Sequence, residues 1–541
     1  MQGVSPPFPG MIRELDALTS RRFDVLVIGG GICGLMAAWD AATRGLHVAL
    51  VDRHDLGSGA SFHHHRTLHG GLRYLQKLDL GRLRESARER RAWARMAPQF
   101  IEPQAFAIQA GGARGKSPGL MQAAFTADAV LTADRNRGLD SSLHLPRGKV
   151  VGSEERASLD TGGLLPDGPI AVWHDYRTAH AERLTFAVAR AAAEAGAVLA
   201  NYMDVVELLR DGDSIIGAVA RDGVYAERWQ INSRVVINAT GAAAGRLMAA
   251  MGVRPTPLLV KALNLVTRRP APAVACGAPT AEGRLLFALP WQGKLSIGTW
   301  HGTEPCGADA HLVTPEELDT FLGQIAEAFP DLQLTRDDVT LVQRGVVPAT
   351  MMRGRLELAD RPIIREHRQD GVSGAVTLMG VKYTTARAAA EYAVTLAMAQ
   401  IGAARPSRTA SLSLPGMVPS EIAPTAVRSL DAGVWQHLQR LFGNHADRIA
   451  AMANARPELA ERIVPELPVS GLQVVEAARH EMAMTLEDVI LRRTSLGSAG
   501  YPGDAAVMKV ETLMREEVGW SSTRAADELQ LLKEFYLPLR V

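Results

Sequence analysis

FDVLVIGGGICGLMAAWDAATRGLHVALVD, residues 23–52, decides the fold. Phe23–Ile28 is a continuous apolar run that reads as a strand buried on both faces. Three glycines break it, an Ala-rich helical stretch follows, and the segment closes on a second strand ending at Asp52. This is a βαβ unit. Gly29, Gly31 and Gly34 fit G-x-G-x-x-G: the first permits a tight turn, the second admits a pyrophosphate to the backbone, the third lets helix and strand pack closely. The helix N-terminus then turns its partial positive charge toward phosphate. Asp52, 18 residues after Gly34, can accept both ribose hydroxyls. A ligand-free turn would explain the glycines but not Asp52. The pattern grips the ADP half that NAD and FAD share. Two features favour FAD. The fingerprint occurs once, near the N-terminus, and a late apolar strand followed by Gly380 and a helix can bring a second helix dipole to the flavin pyrimidine.

Outward from that unit, composition narrows the class. A chain of 541 residues exceeds one hydrophobic core, and 47% hydrophobic with 22% charged residues excludes a disordered chain. With 59 basic against 58 acidic side chains there is no global field to gather nucleic acid, so none is expected as a partner. Three scattered cysteines (Cys33, Cys276, Cys306) suit a reducing compartment. The first residues lack the apolar core of a secretory signal, and no window approaches 18 apolar residues. A cytoplasmic location is expected, with peripheral contact at the inner face of a membrane left open. Only eight of the basic residues are lysines, so a lysine within a motif is informative.

Residues 181–200 read as a long helix ending at Gly196, and 234–241 (RVVINATG) as a strand and turn. Alternating apolar runs between 257 and 300 look like sheet. ARPSRTASLSLPGM (404–417) looks like a linker, and the chain beyond it is helical in pattern. The basic run RLRESARERRAWAR (82–95) reads as a solvated helix face with Glu85 and Glu89 as internal partners, phospholipid contact being the alternative.

ASFHHHRTLHGGLRYLQ (60–76) resembles the FAD-dependent glycerol-3-phosphate dehydrogenases and oxidases of the D-amino-acid-oxidase-like superfamily. The likeness continues through MAPQFIEP (96–103), WHDYRTAHAERL (173–184), INATG (237–241), ALPWQGKLSIGTW (288–300) and GVKYTTAR (380–387), and ends with RHEMAMTLEDVILRRT. It covers nearly the whole chain. It implies an α/β fold: a Rossmann-type FAD-binding domain interleaved with a mixed-sheet substrate domain, followed by a C-terminal all-helical domain. The expected bounds are an N-terminal extension over 1–22 and an oxidoreductase region over 23–403. Within that region FAD segments fall near 23–110, 175–250 and 355–403, and substrate segments near 111–174 and 251–354. A linker over 404–417 and a helical domain over 418–541 complete the chain. The implied reaction oxidises glycerol 3-phosphate to dihydroxyacetone phosphate, with electrons passing to quinone or oxygen.

Carried over residue by residue, the resemblance implies catalytic roles for His69, Arg73, Tyr74, Lys382 and Arg365, the last helping to hold substrate. It implies cofactor contacts from Gly29, Gly31, Gly34, Asp52, Arg53, Ser61, His63, Arg66, Gly70, Gly71, Val206, Thr240, Gly241, Gly380, Lys382 and Tyr383. Hydride transfer from a secondary alcohol needs a base for the hydroxyl proton. Histidine suits the task, with His69 first and His64 or His65 as rivals; a histidine merely bonded to flavin or backbone is the plain alternative. Lys382 and Arg73 could stabilise charge or be structural ion partners, and Tyr74 could be a core aromatic.

Four departures mark the substrate side. Val347 stands where the family has an arginine on the substrate phosphate, a charged contact worth about 1.5–3 kcal/mol per hydrogen bond. Arg344 could substitute if its strand does not turn it away. His301 replaces a common Asp, and Asn264 a frequent His. His63-His64-His65 replaces a small-residue stretch; in extended backbone their side chains would alternate, so no metal is expected. FAD is non-covalent in the family, while amine-oxidising members of the superfamily link it through a histidine placed like His63. Two alternatives accompany the main reading: a paralogue oxidising another hydroxyl or amine substrate, as Val347 argues, and a flavin-binding partner protein without turnover.

Overall fold

The computed structural model describes residues 10–111, 117–254, 256–416 and 430–536. In chain order the strands are β1 (Phe23–Ile28), β2 (Val48–Val51), β3 (Thr67–Leu68), β4 (Ile101–Gln109), β5 (Lys149–Val151), β6 (Ile170–Thr178), β7 (Val198–Ala200), β8 (Met203–Asp211) and β9 (Ser214–Asp222). They continue as β10 (Arg228–Asn238), β11 (Leu259–Pro270), β12 (Ala275–Pro279), β13 (Leu285–Trp291), β14 (Lys294–His301), β15 (Val339–Met352), β16 (Arg355–Leu358), β17 (Ile363–Glu366) and β18 (Ala375–Met379).

Two sheets result. The first runs β17-β18-β10-β1-β2-β7, with β9 and β8 continuing from β10. Its centre is parallel, β18, β10, β1, β2 and β7 pairing in one direction, as βαβ crossovers require. The Ala-rich helix α1 (Ile32–Thr43) buries Ala37, Ala38 and Ala41, and these small side chains let it lie close to helices Ala181–Glu194 and Ala386–Gln400. The second sheet runs β16-β15-β11-β14-β13-β12-β4-β6-β3 with β5 on β6, antiparallel except where β12 meets β4.

The interleaving has the expected form, with two shifts. Residues 101–109 and 355–358, assigned to FAD segments by sequence, pair within the second sheet. The Pro/Ser-rich stretch after 403 is packed rather than free. Ser407 and Thr409 bond to Asp40, and Leu414 N–H donates to Met96 carbonyl at 2.9 Å. Residues 417–429, which include the end of the expected linker, lie outside the described residues.

The basic helix over 80–96 is also corrected. Glu89 is fully buried and takes a bidentate pair from Arg387 (2.7 and 2.6 Å), and buried Arg90 pairs with Asp175. One side of this helix is therefore a core surface stitched by long-range ion pairs, not a solvated face.

Helices pack the C-terminal unit around Leu472, Val475, Val489, Ile490, Val510 and Leu532. Among the described residues no helix is long and apolar enough to cross a membrane.

Candidate active site

One cavity of about 2200 Å³ lies between the two sheets and the C-terminal unit. Ordinary small-molecule pockets span about 300–1,000 Å³, so a dinucleotide and a substrate fit together here.

At its nucleotide end the backbone is built for close approach. Gly29 has φ +109, and a side chain there would strike Ala239 carbonyl. A Cβ on Gly34 would collide with Gly29 carbonyl, so Gly34 sets the helix–strand contact and does not touch the cavity. Gly31 caps α1 and lines the cavity. The Asp52 carboxylate accepts from Gly30 N–H (2.5 Å) and His54 N–H (2.8 Å), and burial pushes its carboxyl up to about 6. Ser61 hydroxyl accepts from Ile32 N–H (2.8 Å) at the start of α1, where phosphate is expected. Arg53, Thr240, Gly241, Gly380 and Tyr383 complete this wall. Glycine backbone, a helix N-terminus and a terminal acid on one cavity wall fit a dinucleotide.

The middle of the cavity carries the histidines. Residues 61–66 form turns rather than a strand, so His63, His64 and His65 all reach the wall, contrary to the alternation expected of extended backbone. His64 Nδ1–H donates to Ser61 carbonyl (2.8 Å), leaving Nε2 as a lone-pair acceptor, and the ring stacks on Tyr383 at 4.3 Å. Tyr383 hydroxyl in turn bonds Thr185 (2.9 Å). Burial, then neighbouring arginines, pushes His63 well below its ordinary value and His64 to about 3; burial pushes His65 to about 4. His69 is pushed to about 3 by burial, then by Arg73 and Lys382. All four rings are neutral at pH 7.

Lys382 differs. Its ammonium sits 4.6 Å over the Tyr74 ring and donates to Asp360 carbonyl (3.1 Å). Burial, then Arg73, lowers it to about 7. Arg73 lines the cavity and makes no ion pair among the described residues. Gly71 also lines the cavity, and its φ of +82 turns the chain into this segment.

Five expected site residues lie off the wall. Tyr74 is a buried floor beneath Lys382, Arg73 and Arg82. Gly70 N–H is spent on Asp175 (2.7 Å). Arg66, with φ +47, is buried between Trp291 (4.7 Å) and Phe62 (5.2 Å). Val206 is 43% exposed, while Val205 lines the cavity, because a bulge between Val205 and Glu207 shifts the strand alternation. Arg365, on β17, pairs with Asp370 and donates to Arg254 carbonyl (3.4 Å), outside the cavity.

Arg344 does reach the cavity. Pairing with Leu263 puts it on that residue's face, away from Asn264, yet this part of β15 has no strand beyond it and the side chain comes round to the Phe535 ring (4.8 Å) and carbonyl (3.1 Å). Asn264, His301 and Val347 also line the cavity. Asn264 amide donates to His63 carbonyl (3.0 Å), so it orders the histidine segment.

Sequence reading missed two parts of the wall. Phe106, Trp173 and Phe287 stack along it at 5.6–6.2 Å, from strands far apart in sequence. Thr485, Glu487, Arg492, Glu528, Leu531 and Phe535 come from the C-terminal unit. No local pattern marks either group; only the pair Arg492-Arg493 in an apolar helix hinted at buried partners.

Residues 24–396 match the family described as FAD dependent oxidoreductase, and 376–525 match the C-terminal domain of alpha-glycerophosphate oxidase. The chain is 30% identical to a glycerol-3-phosphate dehydrogenase of Synechocystis over 97% of this chain and 98% of that one. It is 31% identical to glycerol-3-phosphate dehydrogenase 2 of Mycobacterium bovis over 93% and 86% of the two chains. Its fold is similar to that of the glycerol-3-phosphate dehydrogenase from Bacillus halodurans complexed with FAD, with a TM-score of 0.73, 23% identity, and 97% and 96% of the chains covered.

Proposed function

The chain belongs to the FAD-dependent oxidoreductase family, and from that premise we propose that it oxidises the secondary alcohol of sn-glycerol 3-phosphate to dihydroxyacetone phosphate. The observation that carries this reading is a single cavity holding the nucleotide cradle at one end and Lys382, Arg73 and His69 deeper in. The amine-oxidising and non-catalytic alternatives find no support among the relatives, which are named for glycerol 3-phosphate.

FAD, when bound, accepts the hydride from the secondary carbon. The remaining work falls to the chain. Lys382, poised near neutrality, takes the hydroxyl proton; a base works best with a pKa near the operating pH. His69, neutral and too weakly basic to keep a proton, accepts a hydrogen bond that orients the hydroxyl. Arg73, unpaired at the wall, balances negative charge as the proton leaves. The aromatic wall excludes water. This reassigns the base from His69, the choice that sequence favoured, to Lys382.

The electron acceptor we propose is quinone at a membrane surface. Leu120, Met352, Lys77 and Arg353 line the cavity mouth, and Leu120 and Met352 are exposed there, an apolar and basic rim suited to anionic lipid.

Anaerobic addition of glycerol 3-phosphate to the holoenzyme should bleach the flavin band near ~450 nm, and a soluble quinone should restore it faster than oxygen does. A band that persists at millimolar substrate ends this reading. Lys382→Met should slow flavin reduction about 10²-fold or more. The wild-type rate should rise with pH through about 7 as Lys382 loses its proton, and the variant should lose that limb. A variant that keeps it returns the base to a histidine.

A further inference from the structure

The strand order places β11 and β15 between β14 and β16. His301 ends β14 and Glu357 lies on β16, yet His301 Nε2 and Glu357 Oε2 approach to 3.7 Å. Their contact therefore passes over both intervening strands, and β15 there carries Val347, which lines the same cavity. An arginine at 347 would compete for this space; valine leaves it to the imidazole and the carboxylate.

The surroundings are cationic. Arg284 donates through Nη1 to His301 carbonyl (3.1 Å), which anchors it beside that ring with other N–H groups to spare. Arg284, Arg353 and Arg355 all line the cavity, and none makes an ion pair among the described residues. Against these three guanidinium groups stands Glu357, whose side chain is 47% exposed and free to turn outward. Glu282, the other nearby carboxylate, sits in an exposed turn. His301 Nδ1–H is fixed on Gly302 carbonyl (3.0 Å), so Nε2 is the atom directed at Glu357.

We propose that Arg284 and His301 form the substrate-phosphate subsite of this chain, and that Glu357 is its resident anion, which the phosphate displaces. Arg284 supplies the fixed charge. His301, buried and neutral beside a carboxylate it does not fully engage, gains a proton and a hydrogen bond when a dianion takes that place. The lost arginine at 347 is thus replaced from two neighbouring strands. The inference rests on the proposed glycerol 3-phosphate reading but concerns where the anion is held.

Two measurements on the holoenzyme separate the claims. Titration calorimetry with inorganic phosphate reads the subsite without turnover. Arg284→Gln should weaken binding roughly tenfold or more, and Glu357→Gln should tighten it about threefold to tenfold. In turnover the same variants should move KM for glycerol 3-phosphate in those opposite directions with kcat nearly unchanged, and leave KM for glycerol alone. Equal phosphate affinity in wild type and both variants overturns the inference, even where glycerol 3-phosphate bleaches the flavin. Phosphate binding that follows the predicted pattern without bleaching upholds the subsite and refutes the proposed reaction. A rise in KM with Glu357→Gln would show that Glu357 supports the site and is no competitor, and would also overturn it.

Discussion

Gly34→Ala should yield a protein that purifies almost free of flavin. The added Cβ would point into Gly29 carbonyl, a backbone atom that no rotamer change can move aside. Relief requires α1 to withdraw from β1. That withdrawal carries Gly31 and Ile32, the N-terminus that faces the phosphates, away from the cradle. Overpacking costs about 1–3 kcal/mol. Displaced helix N–H groups lose charge-assisted bonds worth about 1.5–3 kcal/mol each. Together these predict a fall in FAD affinity of at least ~100-fold, since each 1.4 kcal/mol is tenfold. The ratio of flavin to protein absorbance after dialysis reads it, and refolding-independent binding is checked by titrating FAD back. Gly323→Ala is the control: it lies exposed in helix Pro315–Ala328 with open space around its Cβ, so it should keep full flavin and gain slightly in stability. Flavin retained by Gly34→Ala at wild-type affinity would show that the close helix–strand contact is not what positions the cradle.

That prediction rests on a part of the molecule legible from sequence. Gly29, Gly31, Gly34 and Asp52 lie within one βαβ unit, where period and turn chemistry act over a few residues, and the late strand β18 with Gly380 is equally local. Legibility fails where position depends on distant partners. Arg365 looked available because nothing nearby in pattern marks Asp370 as its partner across a helical turn. Val206 was misplaced by one residue because a bulge is invisible in an apolar run. The basic helix over 80–96 looked solvated because the acids that bury its arginine and glutamate, Asp175 and the partner Arg387, are about 85 and 298 residues away. The histidine run looked alternating because only tertiary contacts, such as Asn264 on His63 carbonyl, hold it in turns. The C-terminal unit could be seen to be helical, but its entry into the cavity wall could not be seen.

Asp55→Asn should destabilise the protein by about 3–5 kcal/mol, the cost of removing one partner from a buried ion cluster. Asp55 is 1% exposed and lies three residues beyond Asp52 on the cavity wall. Its Oδ2 accepts from Arg492 Nε (2.6 Å) and Arg493 Nη1 (2.8 Å), and its Oδ1 from Arg493 Nη2 (2.8 Å) and Asn201 (3.0 Å). Arg492 continues to Asp488 (2.6 Å), and Arg493 to Glu481 carbonyl (2.9 Å), so one carboxylate ties the nucleotide-binding sheet to the C-terminal unit. An amide at 55 cannot balance two guanidinium groups, and its own N–H₂ would face them. Because Arg492 and Glu487 share the cavity wall with Asp55, loosening this joint should also weaken FAD, and added FAD should recover part of the loss in proportion to its binding. The pH dependence gives the sharper test. Burial alone would raise the Asp55 carboxyl, but Arg493 and Arg492 outweigh it and hold it well below the usual carboxylate range. A depressed carboxyl contributes stability that is complete above its unfolded value near 4 and is lost only as pH falls toward its folded value. Denaturant unfolding should therefore show a constant gap between wild type and variant from about pH 8 to 5, closing only in stronger acid. A gap under about 1 kcal/mol, or one that closes by pH 6, would mean that apolar packing around Phe186 and Phe442, over which Arg493 and Arg183 lie, holds the two units together without this ion cluster.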